Sequence, residues 1–165
     1  MQKEETILMR KLISSMFVAV LIVAYSSPGL SAMTHTFKAM LSGKEVVPAV
    51  KTTAEGEAVF KLEKDGTELV YTLTVKDLEN VTAAHIHTGI IGKSGPPVIP
   101  LFSGPKKEGK FSGELSRGTI TSKDLRGTLE GKSIEDVVKM IKARELYVNV
   151  HTVANPGGEI RGQIK

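Results

Sequence analysis

EAVFKLEKDGTELVYTLTV, residues 57–75, is the stretch whose reading sets the fold class. Ala58, Phe60 and Leu62 alternate with Glu57, Val59, Lys61 and Glu63, and Leu69, Tyr71, Leu73 and Val75 resume the alternation beyond Asp65-Gly66. Successive side chains of a strand leave opposite faces, so a period of two gives each strand one apolar and one wet face. Asp-Gly between two such runs is the strongest short-range hairpin signal, because both residues accept the positive φ that a tight turn requires. The stretch therefore predicts two antiparallel strands joined end to end.

The alternation continues in both directions. Phe37, Ala39 and Leu41 form an earlier apolar row, and residues 81–87, 98–102, 111–120, 124–129, 146–151 and 159–164 read as further short strands. Ile134, Val137, Val138 and Ile141 break the pattern: they fall at helical spacing behind Ser133, with Asp136 three residues on, as in a capping box. Short strands at this spacing, with one helix in a crossover, predict an all-β domain. Its expected architecture is a two-sheet Greek-key sandwich with one short helix over one end.

Residues 1–32 have the three parts of an export signal: Lys3, Arg10 and Lys11, an apolar run over residues 12–25, and small residues before a cut after Ala32. That run is shorter than the ~20 apolar residues of a comfortable membrane span. Residues 33–165 then form one exported domain with no membrane span, destined for the periplasm, the cell surface or the extracellular space; retention of residues 1–32 as an anchor is the alternative. Three of the 22 basic and two of the 18 acidic residues lie in the leader, which leaves a net charge of +3 on the remainder. The chain has 0 Cys, which removes disulfides, thiolate metal sites and thiol nucleophiles together. Lys106, Lys107 and Lys110 make the only dense basic spot; it reads as a solvated turn, with no interleaved aromatic residues to suggest nucleic acid.

Two segments carry the chemistry, AHIHTGIIGKSGPPV over residues 84–98 and YVNVHTVANPGGEIRGQI over residues 147–164. His85 and His87 stand two apart on an expected strand and share a face, and His151 is the natural third member if the two strands are neighbours. Three imidazoles suit copper or zinc and leave a fourth position for water or substrate. Thr88, Asn149, Thr152 and Glu159 are the nearby candidates to orient the rings. The competing reading has the rings bonded to loop carbonyls and carboxylates, pinning the two Gly/Pro loops. A cut after Ala32 would also place His35 third from a new amino terminus, a second copper hypothesis.

Gly89, Gly92 and Gly95 lack the Lys and Ser/Thr of a phosphate loop, and they read as turn residues needing positive φ. Pro156, Gly157 and Gly158 make the second turn, Glu159 and Arg161 are expected in ion pairs, and Gly162 marks a bulge or a close backbone approach. No Gly-x-Ser-x-Gly elbow exists and no acid is tied to a particular His, so the sequence supports no enzymatic assignment.

Through these segments, together with LSGKEVVPAV from Leu41, the strand at residues 56–60 and the helix before Tyr147, the chain resembles the CHRD domain family, named for the repeated module of chordin and abundant as single-domain exported bacterial proteins. The resemblance covers nearly all of residues 33–165. It implies an immunoglobulin-like or superoxide-dismutase-like β-sandwich and leaves the biochemical role of the bacterial members undefined. A two-metal dismutase is not implied, since no His lies between His87 and His151 to bridge two ions. The first functional expectation is an exported, non-enzymatic binding module whose partner is an envelope or extracellular protein or ligand. It would use the His-bearing end and its loops. The alternative is a mononuclear copper or zinc protein with His85, His87 and His151 as ligands.

Overall fold

In a computed structural model, which describes residues 35–63 and 65–165, the predicted hairpin forms. Strand β2, Glu55–Leu62, pairs antiparallel with the start of β3, Leu69–Thr88, from Leu62↔Leu69 to Glu55↔Lys76. The turn is held by Glu63 N–H donating to Glu68 O (3.0 Å) and by Asp65 Oδ1 accepting from Thr67 N–H (3.0 Å). Ala58, Phe60, Leu69, Leu73 and Val75, from the alternating rows, are buried. The export-signal reading of residues 1–32 lies outside the described residues.

Strand β1, Thr36–Ser42, pairs with β2 and buries Phe37, Ala39 and Leu41 as expected. Beyond the hairpin come β4, Pro97–Phe102, β5, Lys107–Ile120, helix α1, Ile134–Lys142, β6, Leu146–Thr152, and β7, Ile160–Gln163. The capping box at the start of α1 is as predicted, with Ser133 and Asp136 exchanging side-chain and backbone bonds. The helix buries Ile134, Val137, Val138 and Ile141 against the core.

Two expectations are corrected. Residues 69–75 and 81–87 are one strand of 20 residues, β3, not two. Asp77 (φ 55°) and Asn80 (φ 51°) bend it, with register shifts against β5 between Val75 and Leu78 and between Glu79 and Val81. Asn and Asp tolerate the left-handed region, so the chain turns a corner without ending the strand. Residues 124–129 are not a strand but two 3-10 turns, Ser122–Asp124 and Gly127–Leu129. Asp124 Oδ2 accepts from both the N–H and the hydroxyl of Thr121 (2.8 Å each), and this local closure competes with strand pairing.

The bend lets β3 serve two groups of strands. Its first half lies between β2 and β5, and its second half between β4 and β6. With β6–β7, β7–β1 and β1–β2 pairing as well, the path β1-β2-β3-β6-β7 closes on itself. At the β1–β7 seam Lys38 and Lys165 exchange backbone bonds of 2.8 and 2.9 Å. Gly162 lies there, and a Cβ at this position would collide with the Met40 carbonyl, which is the close approach that its sequence context suggested. The enclosed core includes Ala84 and Ile86 of β3, Val148 and Val150 of β6, and Ile160 of β7. Side chains one residue out of phase with these leave the opposite face, where the histidines stand.

Candidate metal centre

The register of three strands sets out the site. On the outward face His85 is opposite Asn149, which is opposite Arg161; His87 is opposite Tyr147, which is opposite Gln163; and His151 is opposite Ala83. The two distant His segments are therefore lateral neighbours. Ring centroids lie 5.9 Å apart for His85–His87, 5.3 Å for His85–His151 and 5.6 Å for His87–His151. One ring nitrogen of each lies within 4.8 Å of the others.

Loop carbonyls fix two of the rings. His87 Nδ1 is 2.9 Å from Gly95 O, and His151 Nδ1 is 2.9 Å from Pro156 O. A carbonyl only accepts, so both Nδ1 atoms carry the proton and both Nε2 atoms present bare lone pairs. His87 Nε2, His151 Nε2 and His85 Nδ1 are buried without a hydrogen-bond partner. Burial also holds the rings neutral. It pushes His87 down to about 4, against the opposing pull of the Gly95 carbonyl and with help from His151, His85 and Arg161. His85 is lowered by burial and then by the charge of His151, and His151 is lowered by burial, opposed by its bond to Pro156. The arrangement is three clustered imidazoles, each lowered in basicity by burial and each with one buried ring nitrogen free of hydrogen bonds.

The carbonyl-pinning reading is met for two rings, yet it leaves the second nitrogen of each unanswered. The side chains expected to orient the rings make no hydrogen bond to them. Asn149 Nδ2 donates to Gly157 O (2.9 Å), and Thr152 Oγ1 donates to Glu159 Oε2 (2.7 Å). Thr88, at the end of β3, donates its backbone N–H to Pro96 O (3.1 Å). The orienting groups are backbone atoms, which leave no trace in residue type.

The ion pairs expected of Glu159 and Arg161 are likewise absent among the described residues. Glu159 accepts from the hydroxyls of Thr52 (2.8 Å) and Thr152 and from Asn155 Nδ2 (3.2 Å), tying the loop before β2 to the loop before β7. Arg161 Nη2 donates to Ile90 O (3.1 Å) and Lys93 O (2.8 Å), and its guanidinium lies 3.5 Å from the centroid of the Tyr147 ring. With Gln163 Nε2 donating to Gly89 O (2.9 Å), the outward face holds the loop of residues 89–96 down over His87. Gly89 and Gly92 take the positive φ expected, at 149° and 76°. Gly95 does not; a Cβ there would collide with the Thr88 carbonyl. Gly158, in the facing loop, donates its N–H to Asn155 O (3.0 Å).

Tyr147 is the residue that sequence reasoning missed. Its ring stacks on His87 at 5.1 Å between centroids, and its hydroxyl meets the backbone of Gly95. The alternation of YVNVH places Tyr147, Asn149 and His151 on one face, so the signal was present in the spacing.

The model of the CHRD domain family matches residues 37–164. No curated protein and no solved structure matches the chain.

Proposed function

The chain belongs to the CHRD domain family, and from that premise we propose that this member is a mononuclear metal protein whose ligands are His85 through Nδ1 and His87 and His151 through Nε2. One observation carries the reading: His85, His87 and His151 each bring a ring nitrogen within 4.8 Å of the other two, and each ring has one buried nitrogen without a hydrogen-bond partner. A buried polar atom without a partner costs roughly 1–3 kcal/mol, and facing lone pairs repel, so a cation between them relieves both penalties. The carbonyls of Gly95 and Pro156 act as the outer groups that fix tautomer and ring orientation at imidazole metal sites. Ligands at ~2.0–2.1 Å from one ion stand about 3.5 Å apart, so loading draws the rings together by about 1 Å. An all-imidazole set without thiolate or carboxylate favours copper over zinc, since affinity for divalent ions peaks at copper.

The test is titration of the purified protein with Cu(II) and with Zn(II), read by calorimetry and by metal content. One equivalent per chain is expected, with copper the tighter. His87→Ala and His151→Ala are each expected to weaken binding at least ~100-fold, beyond the loss typical of an outer-shell change, while His35→Ala leaves it unchanged. Equal binding by all four proteins contradicts the proposal.

Exposed Ile90 and Ile91 on the loop above His87, at 53% and 60% accessible, favour a second use of the same face as a docking surface for an envelope or extracellular partner. Saturable capture of one partner, lost on replacing residues 89–97, supports that use. Residues 1–32 are read as the export signal that delivers residues 33–165 to such a setting. We also read the closed sheet as a Greek-key sandwich of the immunoglobulin or superoxide-dismutase kind; the sharing of β3 between two strand groups supports it.

A further inference from the structure

The fixed charge beside the three rings is of one sign. The triad brings together one buried and two half-buried imidazoles, and among the described residues no carboxylate joins the cluster. His87 and His151 each lean on a neutral carbonyl, of Gly95 and of Pro156, at the position where a carboxylate would lend negative charge. Glu159 is the buried acid among the described residues, and its oxygens are taken by Thr52, Thr152 and Asn155. Neutral ligands on neutral supports leave the whole charge of a bound ion uncompensated.

Arg161 adds to that charge. Its guanidinium stays protonated, is 3% accessible and enters no ion pair among the described residues. It lies 3.5 Å from the centroid of the Tyr147 ring, which in turn stacks on His87 at 5.1 Å between centroids. An aromatic ring, and not water, therefore separates the cation from a proposed ligand, and the charge is felt there: Arg161 is among the groups that lower His87, while no carboxylate raises any of the three rings.

The cost of taking an ion out of water rises with the square of its charge, and its repulsion by a fixed cation rises in proportion to that charge. Both penalties shrink when the ion carries one charge instead of two. Against a cation ~10 Å away, at an effective dielectric of ~20, each unit of charge on the ion costs about tenfold in affinity. Coordination points the same way, since Cu(II) favours a tetragonal set of donors and the cluster offers three ligand residues.

We propose that the copper held by His85, His87 and His151 is monovalent, and that Arg161 tilts the site toward Cu(I) over Cu(II). The inference rests on the metal reading and adds the oxidation state. A chain loaded with Cu(II) takes one electron from a mild donor such as ascorbate and becomes the Cu(I) form on the same three ligands, with no proton moved. The protein is then a holder of reduced copper, and divalent zinc is disfavoured on the same electrostatic ground.

The test compares the two affinities in the full chain: Cu(I) by anaerobic competition with bicinchoninate under ascorbate, and Cu(II) by competition with nitrilotriacetate. Cu(I) is expected to bind at least ~10-fold more tightly, which places the midpoint potential of the bound couple at least ~59 mV above that of the aqueous one. Arg161→Gln is expected to narrow that ratio about tenfold, and Arg161→Lys to preserve it. Since Arg161 also holds the loop of residues 89–96, loosening of the loop alone weakens both ions alike and leaves the ratio unchanged; an unchanged ratio in Arg161→Gln overturns the part given to Arg161. The wild-type comparison needs no variant: Cu(II) bound as tightly as Cu(I) overturns the inference and leaves the metal reading standing. A wild-type chain that takes up neither ion overturns both.

Discussion

His87 is the residue in which fold and proposed chemistry meet. Burial holds its imidazole at about 4 against an ordinary 6.5, so the folded protein keeps the ring neutral where the unfolded chain protonates it. A depressed folded value means stability that is complete above about pH 6.5 and is lost as pH falls toward 4. The metal-free protein is accordingly expected to lose roughly 1.4 kcal/mol per pH unit from His87 across that window, with His85 and His151 adding in the same direction. Urea unfolding at pH 7.5, 6, 5 and 4.5 reads this directly; a midpoint constant across the series contradicts the burial of neutral rings. At this scale the sequence was informative about identity and not about partnership. The triad was legible because His85, His87 and His151 are rare residues on one strand parity. The Gly95 and Pro156 carbonyls that orient them were not, because any residue supplies a carbonyl. Arg161 carried the opposite error: its type suggested an acid nearby, and the fold gave it an aromatic ring and two carbonyls.

Among the elements, β3 decides the geometry. A straight strand of 20 residues would pair with one set of neighbours only; its corner at residues 77–80 lets it leave β5 and meet β4 and β6. Asn80 holds that corner, with positive φ, Oδ1 accepting from Gly109 N–H at 2.9 Å and its carbonyl accepting from Val153 N–H at 3.1 Å. Asn80→Ala is expected to destabilise the protein by about 1–2 kcal/mol through a lost bond and a disfavoured backbone, and Asn80→Gly by less, since only the bond is lost. Thermal unfolding of the two variants separates the terms; equal losses contradict the backbone argument. The alternation on each side of the corner was readable, and so was the capped helix. In sequence the corner reads as a gap between two strands, because the alternation lapses between Val75 and Val81. The 3-10 turns of residues 122–129 were mistaken for a strand, because one Thr-Asp closure outweighed a weak alternation interrupted by Gly127.

Across the whole molecule, closure of the strand path brings the segments at residues 84–88 and 146–152 side by side despite their separation in sequence. Neither segment alone offers three donors. The core side of β3, β6 and β7 is packed with Ala84, Ile86, Val148, Val150 and Ile160, which fixes the phase of the alternation and forces the imidazoles to the outward face. The loops of residues 89–96 and 153–159 then fold down over that face and supply the carbonyls. The pairing of the two segments was foreseeable as a condition; the outward face, roofed by loops, was not, because loop closure depends on contacts between side chains and backbone far apart in the chain.

X-ray absorption at the copper edge of the loaded full chain tests the central claim most directly. Three imidazole rings around one ion are expected, with first-shell nitrogens at ~2.0 Å and outer-shell ring scattering scaled to three rings; His151→Ala should reduce that count by one. A shell of oxygens with one imidazole or none, unchanged by His151→Ala, would contradict a metal centre shared between β3 and β6.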